Sequence, residues 1–175
     1  MAFHLRLAST MRSLALALIV SASCLLAAVP SPANAAVPEY GSEYAGESAF
    51  VSAVPGQTGQ FQVFFMNTGS VTWRKATASQ VNLVVCLANK TTCNVESINA
   101  AWNDGSWLSD RAYAAQTQSE VPTGQIASFV YAFKTPLKID SGTYRFNGDL
   151  ALAATGQLIH QEGYYQEAMV AGDRP

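Results

Sequence analysis

Between Gln60 and Met66 the chain alternates, with Phe61, Val63 and Phe65 separated by polar or second-face residues. A period of two puts those three side chains on one face of a β-strand. Phe64 and Met66 on the other face predict that both sides of this strand are partly covered. Gln80 to Cys86 repeats the alternation with Val81, Leu83 and Val85 inward. Phe129, Tyr131 and Phe133 do the same, opened by Pro122-Thr123-Gly124 and closed by Pro136. A further strand carries Tyr144 and Phe146, breaks at Asn147-Gly148, and resumes with Leu150 and Leu152. Glycine inside a strand marks a bulge or bend, so the break is expected there. Thr155-Gly156 turns the chain into Gln157 to Gln161.

Shorter pieces complete the pattern. Ala49-Phe50-Val51 reads as a strand ending at the turn dipeptide Pro55-Gly56, and Val95 to Ile98 as a short strand. Residues 36–48, rich in Gly, Ser, Glu and Tyr, predict an irregular lead-in. Residues 99–120 predict loop with short strand pieces. No segment beyond the first residues has the spacing of an amphipathic helix. Seven or so short strands punctuated by Gly and Pro describe an all-β, antiparallel two-sheet sandwich, one domain over 49–175.

The sharpest local feature follows the Phe61–Phe65 run. Asn67-Thr68-Gly69 with Trp73 reads as a β-corner: Asn67 can bond its own backbone and Gly69 can supply a positive φ. Trp73 then offers a large apolar surface to whatever the corner folds onto.

The first residues read as a leader, not as fold. His4, Arg6 and Arg12 precede an apolar run from Leu14 to Leu26, and Ala33-Asn34-Ala35 supplies a small-x-small cleavage pattern. Cleavage is expected after Ala35, with Ala36 the second choice, which places the protein outside the cell or in its envelope. The run is too short for a membrane span, which needs about 20 apolar residues. Cys24 admits a lipoprotein reading, opposed by the poor approach sequence Ser21-Ala22-Ser23 and by the apolar continuation from Leu25 to Val29.

The leader takes Arg6 and Arg12 with it, leaving eight of the ten basic residues against twelve acidic ones, a formal charge of −4. That mild acidity, without a basic cluster, argues against nucleic acid as a partner. Cys86 and Cys93 remain as an even pair in a compartment that permits oxidation. They flank a polar turn, so a disulfide is expected in place of a zinc set, which would want histidine nearby.

An ordered set of residues resembles one family. Asn67-Thr68-Gly69 with Trp73 is followed by Trp107-Leu108-Ser109 with Arg111-Ala112, and then by Val121-Pro122-Thr123-Gly124 leading into Phe129. Pro136, Gly142-Thr143-Tyr144, Leu150 and Gly156 extend the match. The set is similar to the FW (four-tryptophan) Ig-like domain, found in selective-autophagy receptors and in many exported bacterial proteins, and spans Ala49 to Gly163. Val63 and Gly148 stand where two of the signature tryptophans would be. The resemblance implies an Ig-like sandwich that recognises or spaces other molecules without catalysis, and it gives Trp107-Leu108 a packing role. Asn67, Gly69, Trp73 and Trp107 are then structural landmarks.

Candidate chemistry concentrates in Ala101 to Asp110. Trp102, Asn103, Asp104 and Tyr113 form the best binding set, since aromatic faces beside polar groups suit a sugar. A solvent-facing Trp102 would support an envelope or matrix glycan as ligand; otherwise the partner is an unidentified protein or envelope component. No metal site is expected from Asp104, Asp110, Asp140 and Asp149, whose spacing matches no calcium loop. Nothing calls for a cofactor. His160 is the sole histidine after the leader, and no nucleophile elbow accompanies it, so an enzyme is not expected. A small hydrolase built on Asp104, Asp149 and His160 is the remaining alternative. Of the adjacent pair Tyr164 and Tyr165, at most one is buried in an ordinary sheet. Arg111 is expected to bond loop carbonyls or a carboxylate.

Overall fold

The computed structural model describes residues 38–160 and 162–171; the leader, both cleavage points and Cys24 lie outside them. Ten strands follow in order: β1 (Ser42–Glu47), β2 (Val51–Ala53), β3 (Thr58–Asn67), β4 (Trp73–Arg74), β5 (Val81–Val85), β6 (Ala112–Ala115), β7 (Glu120–Val121), β8 (Ile126–Lys134), β9 (Gly142–Leu152) and β10 (Tyr164–Val170). The helical content of the described residues is one 3-10 turn, Ala100–Trp102. One sheet has the order β1-β3-β8 and the other β2-β10-β9-β5-β6, with β4-β7 a small ribbon beside them. This is the expected all-β, Ig-like two-sheet sandwich. One pairing departs from the antiparallel rule: β2 runs parallel to β10, with Val51 opposite Ala168.

The alternating runs fold as their period dictates. Phe61, Val63 and Phe65 on β3 and Phe129, Tyr131 and Phe133 on β8 are all buried. They face Val81, Leu83 and Val85 on β5 and Phe146, Leu150 and Leu152 on β9 within one apolar core. Aromatic rings join the layers: Phe61 lies 5.2 Å from Phe146 and Phe65 lies 5.9 Å from Tyr164, between ring centroids. Pairs at such distances add about 0.5–1.5 kcal/mol each beyond the area they bury.

Three expectations are corrected. Residues 36–48 are not irregular throughout, because β1 pairs antiparallel with β3 from Ser42 opposite Asn67 onward. The core therefore reaches back before Ala49. Val95 to Ile98 forms no strand, and Ile98 is among the most exposed apolar residues. β9 passes Asn147-Gly148 unbroken, in continuous register with both β5 and β10. Gly148 is required there by close approach: a Cβ on it would stand 2.8 Å from the Tyr164 ring and 3.0 Å from the Val84 carbonyl oxygen.

The Asn-Thr-Gly corner is where it was expected, for a partly different reason. Asn67 Oδ1 accepts the Gly69 N–H at 3.0 Å, while its amide donates to the Val71 and Val121 carbonyls, each at 2.9 Å. Gly69 is not in the left-handed region. A Cβ on it would meet the Glu39 carbonyl oxygen at 2.6 Å and the Gly41 nitrogen at 2.8 Å. The segment before β1 lies across the corner, with Thr68 and Gly69 donating to the Gly41 carbonyl and Ser70 to that of Pro38. Trp73, fully buried, pairs with Val121 between β4 and β7.

Candidate functional site

The residues singled out for binding turn inward. Trp102 is 2% exposed and packs on Phe133, Tyr144 and Phe146 at centroid distances of 5.6, 5.0 and 5.3 Å. Tyr113 is equally buried, stacks on Tyr131 at 4.5 Å, and donates its hydroxyl to the Asn147 carbonyl at 3.1 Å. Neither ring is free to lie on a sugar, so the Trp102 site is withdrawn. Asn103 and Asp104 shape the turn between them: Asn103 Oδ1 accepts from Gly105 at 2.9 Å and Asp104 Oδ1 from Ser106 at 2.9 Å. The Ser106 side chain also holds the Asp104 carboxyl below its ordinary value. Trp107 is core, as the resemblance implied, and donates its indole N–H to the Ala132 carbonyl at 2.6 Å. Arg111 reaches Glu96 at 3.3 Å.

A concave site exists elsewhere, at the open seam between β1 and β10. Its wall on β1 depends on an irregularity. Tyr44 and Glu47 are three apart, which in a regular strand places them on opposite faces. The register slips between Tyr44 and Gly46, leaving Ala45 as an extra residue. Tyr44 then stands opposite Phe65 and Glu47 opposite Val63, both inward-facing partners. A bulge of this kind re-aims a side chain at the rim of a sheet. The result is a cleft of about 280 Å³ lined by Tyr44, Glu47, Phe50, Lys90, His160 and Tyr164, with Glu162, Gly163 and Tyr165 at its margin.

The opposite wall comes from three pieces. Tyr164 is buried and Tyr165 only partly so, as their adjacency required. Tyr165 stacks on Phe50 at 5.8 Å and carries the Lys90 ammonium 5.0 Å and the Arg145 guanidinium 4.6 Å from its ring centroid. Lys90 is presented by the loop that the Cys86–Cys93 disulfide closes. Inside it Asn89 Oδ1 accepts the N–H groups of Thr91 and Thr92, the turn its polar sequence predicted. The third piece is His160, whose Nδ1 lies 2.9 Å from Asp149 Oδ1 with the two side chains 10% and 2% exposed. Asp149 also accepts the Leu150 N–H at 2.7 Å. The hydrogen bond to Nδ1 orients the ring and fixes which nitrogen is left for other contacts.

Electrostatics distinguish Glu47. Burial pushes its carboxyl above the usual range, while the Tyr44 hydroxyl and Gln166 amide beside it pull it partly back. Gln166 is wholly buried, with its amide beside the Glu47 carboxyl but short of full hydrogen-bond geometry. Burial and the Glu47 carboxylate push the Tyr44 phenol up to about 12. Deeper in, burial raises Tyr131 and Tyr164 well above an ordinary phenol, and both hydroxyls lack full hydrogen-bond partners. Of the hydrolase set, Asp149 and His160 meet, whereas Asp104 sits exposed in its own turn. Among the described residues no three His, Cys, Asp or Glu side chains gather as metal ligands would. Sequence reasoning missed this cleft because the bulge at Ala45 reverses sidedness without changing composition; Gly46 next to it was the one local hint.

The fold is that of an Ig-like two-sheet sandwich. No protein-family model matches the chain, and no curated protein sequence matches it. Among solved structures it is similar to the CARDB domain of a Pyrococcus furiosus protein, at 12% identity and a TM-score of 0.42, over 77% of this chain and 96% of that one. It is also similar to AvmM, which catalyses macrocyclization in alchivemycin A biosynthesis, at 11% identity and a TM-score of 0.41, over 78% of this chain and 91% of that one.

Proposed function

We propose that this chain is an exported, non-enzymatic recognition module of FW type that engages a protein or envelope component through the seam between β1 and β10. The supporting observation is the cleft itself. It combines exposed aromatic side chains, Tyr44 at 42% and Phe50 at 41%, with convergent polar groups at Glu47, Lys90 and His160. Exposed aromatics around a concavity are a recognition surface's usual anchors. The sandwich beneath holds them rigidly, as the two-layer aromatic core requires. Among the described residues no helix is long and apolar enough to cross a membrane.

A photo-crosslinking amino acid placed at Tyr44 or Phe50 tests the reading directly. Incubated with envelope and medium fractions, these positions are expected to give discrete adducts. A probe at Leu137, 79% exposed outside the cleft lining, is expected to give none. Equal labelling from all three would overturn the assignment. Export is tested by the mass of the protein recovered outside the cytoplasm, which is expected to begin at Ala36.

A further inference from the structure

We infer that the Cys86–Cys93 disulfide is a redox latch on the cleft, opened by small thiols or a dithiol oxidoreductase; this deepens the recognition reading above and rests on it. The position of the bond carries it. Cys86 faces Cys93 across an antiparallel bridge, and residues 87–92 form the loop between them. Lys90 is where that loop meets the cleft. A Cβ on Gly163 would stand 2.7 Å from both the Lys90 Cβ and its carbonyl oxygen, and the Lys90 ammonium covers the Tyr165 ring. The Cys93 sulfur lies 3.9 Å from the same carbonyl oxygen, directly behind this wall. Lys90 also lines a neighbouring hollow of about 260 Å³, with Asn89, Thr91, Glu162 and Gly163. It borders both concavities, so its withdrawal joins them and strips the cleft of one side.

Backbone conformation gives the loop a reason to move when the bond opens. Lys90 and Asn94 have φ of 61° and 58°, left-handed backbone that a lysine rarely adopts. Such residues keep this conformation only while their surroundings impose it. Leu87, Ala88, Asn89, Thr91 and Thr92 are exposed, which leaves half-buried Lys90 as the loop's packed side chain. The sandwich has no such dependence. β5 stays paired with β9 through Val85, and Cys86 keeps its N–H on the Asn147 carbonyl at 3.0 Å. Opening the bond therefore moves a wall without dismantling a sheet. The chemistry is thiol–disulfide exchange. A thiolate attacks the sulfur of Cys93, the half-buried partner; the S–S bond breaks, and Cys86 leaves as a thiolate that takes up a proton. A second thiol attacks the resulting mixed disulfide. Cys93 leaves and is protonated, and the two reductant sulfurs end joined as a disulfide, having given up two electrons and two protons.

The test reduces the folded protein with graded dithiothreitol in the absence of denaturant. Both cysteines are expected to become open to iodoacetamide while the β9 amides keep their slow exchange. In the same titration the Lys90, Gly163 and Tyr165 amide resonances are expected to shift, and to return on reoxidation. Photo-crosslinks from Tyr44 and Phe50 to envelope and medium fractions are expected to fall several-fold in the reduced protein and to recover with the bond. Cys86→Ser with Cys93→Ser should crosslink at the reduced level whether or not reductant is present. A bond that opens only with denaturant, or only as the β9 amides exchange, would make it a plain staple and sink the latch. Crosslinks equal in the oxidised and reduced states would remove the latch alone and leave the recognition reading standing. Absence of crosslinks in both states would remove both.

Discussion

Trp73 and Trp102 began as two conspicuous indoles and end in the same role. Each is enclosed by aromatic or apolar neighbours, so truncation leaves a cavity that a two-layer sandwich cannot close. Trp73→Ala and Trp102→Ala are each expected to lower stability by about 3–5 kcal/mol, read from the denaturant midpoint. An unchanged midpoint would refute the packing role. Glu47 behaves differently, because its carboxyl is raised in the folded state above 4.5. The fold then holds that proton more tightly than the unfolded chain does. Its support is complete in acid below the ordinary value and fades as pH climbs through the raised one. Glu47→Gln, which stays neutral, is therefore expected to match the native protein in acid and to exceed it in stability at pH 7. Paired urea titrations at the two conditions check this, and a Gln variant weaker at neutral pH would reverse it. Period-two positions such as Phe61 and Phe133 were legible at this scale, since alternation and burial are one fact. The reason for Gly69 was not, because the backbone that crowds it, 38–41, is about thirty residues away in the chain.

At the scale of elements, the disulfide loop and the bulged strand are the two devices that build the cleft. Cys86→Ser with Cys93→Ser is expected to cost about 2–3 kcal/mol through the entropy of a short closed loop. It should also loosen Lys90 from the Tyr165 ring, visible as altered Tyr165 resonances. A melting point unmoved by reduction would argue that the loop is held by Asn89 alone. Strand position sets a second expectation. Backbone amides of β9, paired on both sides, should exchange with solvent far more slowly than those of Tyr44 to Glu47 on the edge. Uniform exchange across both would contradict the sheet order. Strongly alternating elements could be read from sequence, as β3, β5 and β8 were. β1 could not, since polar Ser42-Glu43 and the extra Ala45 hide its period. Val95 to Ile98 misled for the opposite reason: β-branched composition favours a strand only where a neighbour is available to pair.

At the scale of the molecule, strand count and punctuation sufficed for the two-sheet sandwich, whereas the location of the site required topology. Chemistry sought along the chain pointed to residues 102–110, where aromatics are dense because they pack against Phe133, Phe146 and Tyr131. The cleft instead gathers residues far apart in the chain, Tyr44, Lys90 and His160 among them. One wall is β1 and the other includes the start of β10. Synthesis must therefore run from β1 through β10 before the two walls of the cleft can meet. Loss of β10 would remove one wall of the cleft while leaving β3 and β8 able to pair.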